Sequence, residues 1–291
     1  MTTIALIGPG AVGGTIAAWL AQNPALSVTV CARKPFAGLE IQTPGGPIIA
    51  DPAVLTDAAA ATPVDWVLIA TKAYDTASAG AWLDALVGPQ TRLVVLRNGV
   101  EHVEPFLDRL PVARIVPAVV DIPAERDAPG RIRQRRDGWI KVPDDAAGRA
   151  FVALLAHTPI AAEAVADFKT AAWRKLALNC AGAVNALILQ PSGIAQDDGA
   201  AAVMRSLVAE CVAVGRAEGA DLPDSLADEV IDGYRSAAPD GINSLHADRL
   251  AGRPMELDVR NGVIVRRGAA HGIATPANAM VVALIQAATR P

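Results

Sequence analysis

The 291-residue sequence predicts an α/β chain: an open, largely parallel sheet in the N-terminal part and an all-helical C-terminal part. Three observations carry this expectation. Short apolar runs without polar alternation suit strands covered on both faces. Helical stretches lie between several of those runs, and from about residue 168 long Ala/Leu/Val-rich helices follow with no strand of comparable strength. The expected domains are therefore 1–167 and 168–291, joined by a short hinge, since the chain has neither a tandem repeat nor a low-complexity linker.

TIALIG opens the sheet as a buried parallel strand, and AVGGTIAAWLAQN continues from its glycines as a helix. LSVTV, DWVLIAT, TRLVVLRN and RIVPAVV read as further strands, with TASAGAWLDAL and EHVEPFLDRL as helices between some of them. GRIRQRRDGWIKV suggests a hairpin around Asp137-Gly138, its arginines standing on solvated strand edges. Beyond residue 168, helices are expected at roughly 168–190, 199–219, 224–236 and 256–289, the last broken near Gly272 and Pro276.

Composition narrows the function classes. Apolar residues make up 52% and charged residues 19%, enough to build cores and too apolar for disorder. Only 4% is aromatic and the net charge is −4, so neither stacking platforms nor a basic surface marks a nucleic-acid partner. Cys31, Cys180 and Cys211 are widely spaced and match no metal-ligand pattern, which points to reduced thiols, a cytoplasmic location and no metal. No charge precedes Arg33, but glycines interrupt that stretch where a membrane span would be most apolar, so no membrane partner is expected.

Gly8-Pro9-Gly10-Ala11-Val12-Gly13 fits G-x-G-x-x-G between a strand and a helix, the context in which this motif binds a dinucleotide pyrophosphate. Gly8 suits the tight turn, Gly10 close approach of the phosphates, and Gly13 helix-on-strand packing. These features make the sheet a Rossmann-type dinucleotide-binding domain. About twenty residues on, an acid would read a free ribose 2′-hydroxyl. Arg33 and Lys34 stand there instead, favouring a 2′-phosphate and hence NADP(H). Lys72 and Asn98 follow the ends of two later strands, where ligands of open α/β sheets sit.

Within the apolar helix AAWRKLALNCAGAVNAL, Lys175 and Asn179 lie one turn apart on one face. An exposed polar stripe is the ordinary reading of such a pair. The wider pattern gives another. IGPGAVGG, ATKAYDT, LRNGVE, WRKLALNC and NSLHADRLAGRPMELDVRNGVIVRRGAAHGIATP together resemble the ketopantoate reductase (2-dehydropantoate 2-reductase) family almost end to end. The resemblance implies NADPH-dependent reduction of a small anionic 2-oxo acid, as in pantothenate biosynthesis, with a homodimer admitted as the assembly. It also implies Lys175 as the proton donor and Glu256 as the carboxylate that helps bind substrate and orient that group. Asn98, Asn179 and Ser244 match substrate-binding positions, Lys72 a lysine of the cofactor cleft, and Arg33 the grip on the 2′-phosphate. Closure of the interdomain cleft would then exclude water around the reacting centre.

The chemistry agrees with these roles. Reduction of a 2-oxo acid develops negative charge on a carbonyl oxygen that must end protonated, and a lysine in a partly desolvated cleft both stabilises that charge and donates the proton. Hydroxyl and amide groups hold a carboxylate without a second full charge. One departure concerns Ala183, where the family commonly has a further asparagine; Asn185 lies about 200° further round an ideal helix and does not simply substitute. A different 2-oxo acid therefore stays open as substrate. So do a non-catalytic NADP(H)-binding sensor and an NAD-linked dehydrogenase working oxidatively.

The remaining candidates carry structural readings. His246 is expected as a structural hydrogen-bonder, Asp248 and Asp258 as caps or arginine partners, and Trp173 as core. His102, His157 and His271 form no metal set.

Overall fold

Strand β1 (Thr2–Ile7) carries the first apolar run, its last four residues buried. The computed structural model describes residues 1–290. The chain divides into two units, Met1–Arg97 with Glu101–Phe168, and Asn98–Val100 with Lys169 onward.

In the first unit, β1 is followed by α1 (Ala11–Leu20), β2 (Leu26–Cys31), β3 (Leu39–Thr43), β4 (Gly46–Ala50), β5 (Ala53–Leu55) and β6 (Val64–Ile69). Then come α2 (Gly80–Leu86), β7 (Val87–Leu96), β8 (Ile115–Asp121), β9 (Ala124–Ala128), β10 (Arg131–Gln134), β11 (Trp139–Pro143), α3 (Ala146–Leu154) and β12 (Ala161–Val165). The main sheet has the order β12-β11-β8-β7-β6-β1-β2-β5. From β8 through β5 every neighbouring pair is parallel, and β11 joins β8 antiparallel. The order reverses at β1, with β2 on one side and β6 on the other, which creates a crevice at the carboxyl ends of these strands. The expected Rossmann-type sheet is present.

A second sheet, β4-β3-β10-β9, was not foreseen. Its strands are short, β3 and β10 alternate buried with exposed residues, and β9 and β10 are rich in charge, so they lack the continuous apolar signature of the main sheet. It packs on α1, which is thus enclosed by two sheets and buried along most of its length. The Gly13-Gly14 doublet has its cause here. A Cβ on Gly13 would run into the Gly8 carbonyl oxygen and stand 2.8 Å from the Ala70 methyl, while one on Gly14 would run into the Ile132 side chain of β10.

Two local expectations are corrected. Asp137-Gly138 does not turn a hairpin: β10 and β11 belong to different sheets, and the hairpin is β9–β10 around Gly130 at φ +78°. Pro129-Gly130 provides the turn, and Gly138 instead allows close passage over the Asp121 carbonyl, 2.7 Å from where its Cβ would stand. The arginines do line solvated edges, as in Arg133–Asp127 at 2.9 Å and Arg136–Asp121 at 2.7 Å. EHVEPFLDRL forms only a single 3₁₀ turn at Glu104–Phe106, because Pro105 lacks an N–H and disfavours the helical region for its predecessor.

The helical unit consists of α4 (Phe168–Ala181), whose first residue is counted with the sheet unit, α5 (Ala183–Ile188), α6 (Asp198–Ala217), α7 (Leu226–Ser236), α8 (Ser244–Leu250), a π-helical turn at Asp258–Gly262, α9 (Val263–Ala270) and α10 (Pro276–Ala288). The stretch expected as one helix over 168–190 is split at Gly182, where a Cβ would stand 2.6 Å from the Tyr234 hydroxyl and 2.8 Å from Asn243 Nδ2. Helix α6 is buried through Met204, Leu207, Val208 and Cys211, and packs with Trp173, Leu176, Ile231, Ile264 and Ile285 in one core. Trp173 is core, as expected. Glu210 of α6 accepts from the Ala277 and Asn278 amides at 2.7 and 2.9 Å, so a carboxylate caps α10 behind Pro276.

Replacing Gly13 by alanine is expected to destabilise the sheet unit by about 2 kcal/mol, because the added methyl meets backbone that cannot retreat. Thermal unfolding should show a midpoint lower by roughly 5 °C. An unchanged midpoint would mean that α1 can shift off the sheet without cost.

Candidate active site

The glycine turn is built at the switch point. Gly8 adopts φ +91°, and the Gly10 amide bonds the Gly8 carbonyl at 2.8 Å, which closes the turn into α1. Gly10 is the N-cap and offers no side-chain acceptor, so the first amides of α1 keep their positive dipole end available. A Cβ on Gly10 would meet nothing within 4 Å, whereas Gly8 and Gly13 are closely packed. Pro9, Ala11 and Val12 complete the turn and are all half-buried. Thr71, two residues past β6 and packed by its backbone and methyl against Gly8, has its hydroxyl buried without a hydrogen-bond partner. An open space over uncapped amides, next to an orphaned hydroxyl, fits the phosphates of a dinucleotide.

Arg33 follows β2 and its side chain is 82% exposed, with Asp75 3.9 Å away, a distance and exposure at which the pair contributes little. Lys34 is exposed as well. Lys72 ends the β6 exit as the half-buried N-cap of a 3₁₀ turn, Ala73–Ala79. All of these belong to the sheet unit.

The other candidates belong to the helical unit, Asn98 among them. Lys175 and Asn179 are half-buried one turn apart on α4. Asn179 Nδ2 donates to Asn98 Oδ1 at 3.3 Å, and Asn98 Nδ2 donates to Glu256 Oε2 at 3.0 Å. Glu256 is 5% exposed. Three sequence-predicted residues thus form one chain of donors ending on a buried carboxylate, which polarises both amides in the same sense. Gly99 makes this possible: at φ +95°, it lets the loop approach the Val259 carbonyl, 2.8 Å from where a Cβ would stand.

Ser244, the first residue of α8, is exposed, and its hydroxyl accepts from Arg260 Nη2 at 2.8 Å. Arg260 was not foreseen. It is 3% exposed, and burial pulls its guanidinium below the usual arginine value against the opposing influence of Glu256, Tyr234 and Asp248. The available signal was Glu256 and Arg260 four residues apart, a spacing also found on ordinary solvated helices. Asn243, equally unforeseen, caps α8 by accepting from the Leu245 and His246 amides, both at 3.0 Å, and donates to the Gly182 carbonyl at 3.0 Å.

Asp248 pairs with Arg253 at 3.0 Å and Asp258 pairs with Arg266, as expected. Asn185 is committed to structure: its Nδ2 donates to the Gln190 and Pro191 carbonyls, each at 3.0 Å. Cys31, Cys180 and Cys211 are free and buried. His102 Nε2 meets the Arg97 carbonyl at 3.1 Å, and His271 meets Glu218 at 2.7 Å. Among the described residues no His/Cys/Asp/Glu group could hold a metal ion, and no helix is long and apolar enough to cross a membrane. His246 requires a correction. It is 2% exposed and neither ring nitrogen has a hydrogen-bond partner, so it is packed as a neutral ring and does not serve as a hydrogen-bonder.

Burial, then the nearby Arg249, depresses the His246 pKa below its ordinary 6.5. The unfolded chain therefore takes up this proton before the folded one does. Stability from this group is present above the unfolded value of 6.5 and is lost as pH falls through it toward the folded pKa. His246→Leu should flatten the plot of thermal midpoint against pH just below 6.5. Parallel curves for the two proteins would contradict the assignment of a buried neutral ring.

Comparison with known proteins agrees with this architecture. The family model for ketopantoate reductase PanE/ApbA matches residues 4–147, and that for its C-terminal part matches residues 167–289. A 2-dehydropantoate 2-reductase of Caulobacter vibrioides is 70% identical over 288 residues, covering 99% of each chain. One from Mycobacterium tuberculosis is 41% identical over 290 residues, covering 99% of this chain and 98% of its own. The crystal structure of a PanE/ApbA family ketopantoate reductase from Ralstonia eutropha superposes with a TM-score of 0.91 at 32% identity, covering 99% and 98% of the two chains. A dimeric ketopantoate reductase from Staphylococcus aureus gives 0.87 at 26% identity, covering 98% of both. The chain, with its glycine turn on a switch-point sheet and its helical second unit, belongs to the ketopantoate reductase family of oxidoreductases.

Proposed function

We propose that this protein reduces ketopantoate (2-dehydropantoate), or a close 2-oxo acid, to the 2-hydroxy acid with NADPH. The observation that carries this reading is the donor chain Asn179–Asn98–Glu256 in the same unit as Lys175, an arrangement with no evident use on a solvated helix. When bound, NADPH supplies the hydride that reaches the 2-oxo carbon. Lys175 holds the proton that the carbonyl oxygen takes up, and its charge stabilises that oxygen as electrons arrive. Glu256 fixes the Asn98 amide, and Asn98 with Asn179 orients the substrate. Ser244 presents a hydroxyl to the carboxylate. Arg33, exposed at the end of β2, takes the 2′-phosphate, while Lys72 and the Gly8–Gly13 turn line the rest of the cofactor site. Residues 1–167 act as the cofactor domain and 168–291 as the substrate domain, with the Asn98 loop serving the latter. The assembly we propose is a homodimer, in keeping with the dimeric Staphylococcus relative.

A second reading keeps the chemistry and changes the acid. It is favoured by Ala183, which is fully buried and brings no amide, and by Asn185, whose amide hydrogens are spent on two carbonyls.

Two measurements test this function. NADPH consumption over a panel of 2-oxo acids, ketopantoate included, should show turnover that Lys175→Ala lowers by about 10²-fold or more. Silence across the panel with tight NADPH binding would instead favour a sensor. Arg33→Asp should weaken NADPH binding about tenfold or more relative to NADH. An unchanged cofactor ratio would remove Arg33 from the phosphate site.

A further inference from the structure

Arg260 has no part in the roles assigned above, yet it is an unusual group to keep inside a helical core. Its side chain lies in the π-helical turn Asp258–Gly262, within a run of consecutive buried residues from Arg260 to Ile264. Its Nε–H is buried and unpartnered. Holding a guanidinium away from water is costly, and an apolar side chain of similar volume would serve packing as well or better. The charge therefore calls for a use beyond packing.

The geometry supplies one through Ser244. The serine hydroxyl accepts from Arg260 Nη2 at 2.8 Å, and a guanidinium has no acceptor to offer in return. The serine's own hydrogen must point elsewhere, and among the described residues no acceptor takes it. Ser244 is exposed while Arg260 is 3% exposed, so the bond runs from an interior cation to a surface hydroxyl. Such a bond orients the hydroxyl and strengthens it as a donor, and the buried charge behind it is little screened by salt.

We propose that Arg260 is the positioning residue for the substrate carboxylate, aiming and polarising the Ser244 hydroxyl so that the enzyme prefers 2-oxo acids to their uncharged analogues. This inference rests on the reductase reading. It also offers a reason why the site tolerates Ala183: a hydroxyl backed by a full charge replaces a neutral amide donor. Arg260 does this without touching substrate.

The test compares a 2-oxo acid accepted by the wild-type enzyme with the primary amide of that same acid, both with NADPH. Arg260→Met should lower kcat/KM for the acid by about 30-fold, mostly through KM, and lower it for the amide by less than about threefold. Arg260→Lys, which keeps a cation on a long stem, should recover most of the acid preference. Ser244→Ala should reproduce the loss, and adding Arg260→Met to it should bring little more, since the two residues act as one unit. Equal losses for acid and amide, or additive losses in the double variant, would overturn the proposal. If Arg260→Met does not fold, Arg260→Gln, which keeps an amide donor without the charge, decides: a loss confined to the acid supports the proposal, and an unchanged acid preference overturns it. A wild-type enzyme that turns over no 2-oxo acid overturns both readings, whereas turnover with an acid preference indifferent to Arg260 overturns this one alone.

Discussion

A carboxylate at 5% exposure inside a bundle of helices is the constraint around which the candidate site is arranged. Glu256 could not be held there without compensation, because the cost of removing a charge from water far exceeds what packing returns. The Asn98 amide supplies a hydrogen bond at 3.0 Å from 158 residues away in sequence. That bond brings a loop flanked by residues of the sheet unit into the helical one, and the requirement explains Gly99 in turn, since only a residue without a side chain passes so near the Val259 carbonyl. Asn179 extends the same chain of dipoles. One buried charge thus accounts for the placement of Asn98, Gly99 and Asn179.

The sheet unit answers a different constraint, close approach of backbone to backbone. Helix α1 lies between two sheets, and the glycines at 13 and 14 remove side chains on both of its faces. Only then does its N-terminus reach the switch point with uncapped amides. The helical unit uses the same economy of volume: Gly215 on α6 allows Trp173 to lie against it, its Cβ position 2.9 Å from the ring. A chain with 4% aromatic residues fills its cores with small side chains and so depends on such close approaches.

These two kinds of constraint explain what was legible in the sequence. The parallel sheet declared itself because strands covered on both faces must be apolar throughout, and Gly8, Gly10 and Gly13 because a turn against a phosphate tolerates little else. The second sheet escaped because β3, β9 and β10 carry charges on their open faces and resemble loops. A turn signal at Asp137-Gly138 competed with one at Pro129-Gly130, and only pairing partners distant in sequence decide between them. The donor chain was legible as residue types from family likeness, but its order was not, since hydrogen bonds across 81 and 158 residues leave no local pattern. Arg260 was hidden by the same ambiguity, because a Glu/Arg pair four apart reads as a surface ion pair until burial is known.

Charge arithmetic links the buried acid to the unforeseen arginine. On the proposed reading, with Asp248 balanced by its partner Arg253, Lys175 and Arg260 bring two positive charges and Glu256 one negative charge, so a site with no substrate has one positive charge in excess. A 2-oxo acid with a single carboxylate balances it. An uncharged side chain at position 260 would leave the loaded site one negative charge over before reaction, and the hydride would add a second, which proton transfer from Lys175 to the oxygen relocates without removing. The proposal gives the cation at 260 no proton to donate in the reaction, so its charge remains after Lys175 has given up its own. It can therefore keep the Ser244 hydroxyl aimed at the carboxylate through both halves of the reaction, which is a task that an amide at position 183 would meet only with a dipole.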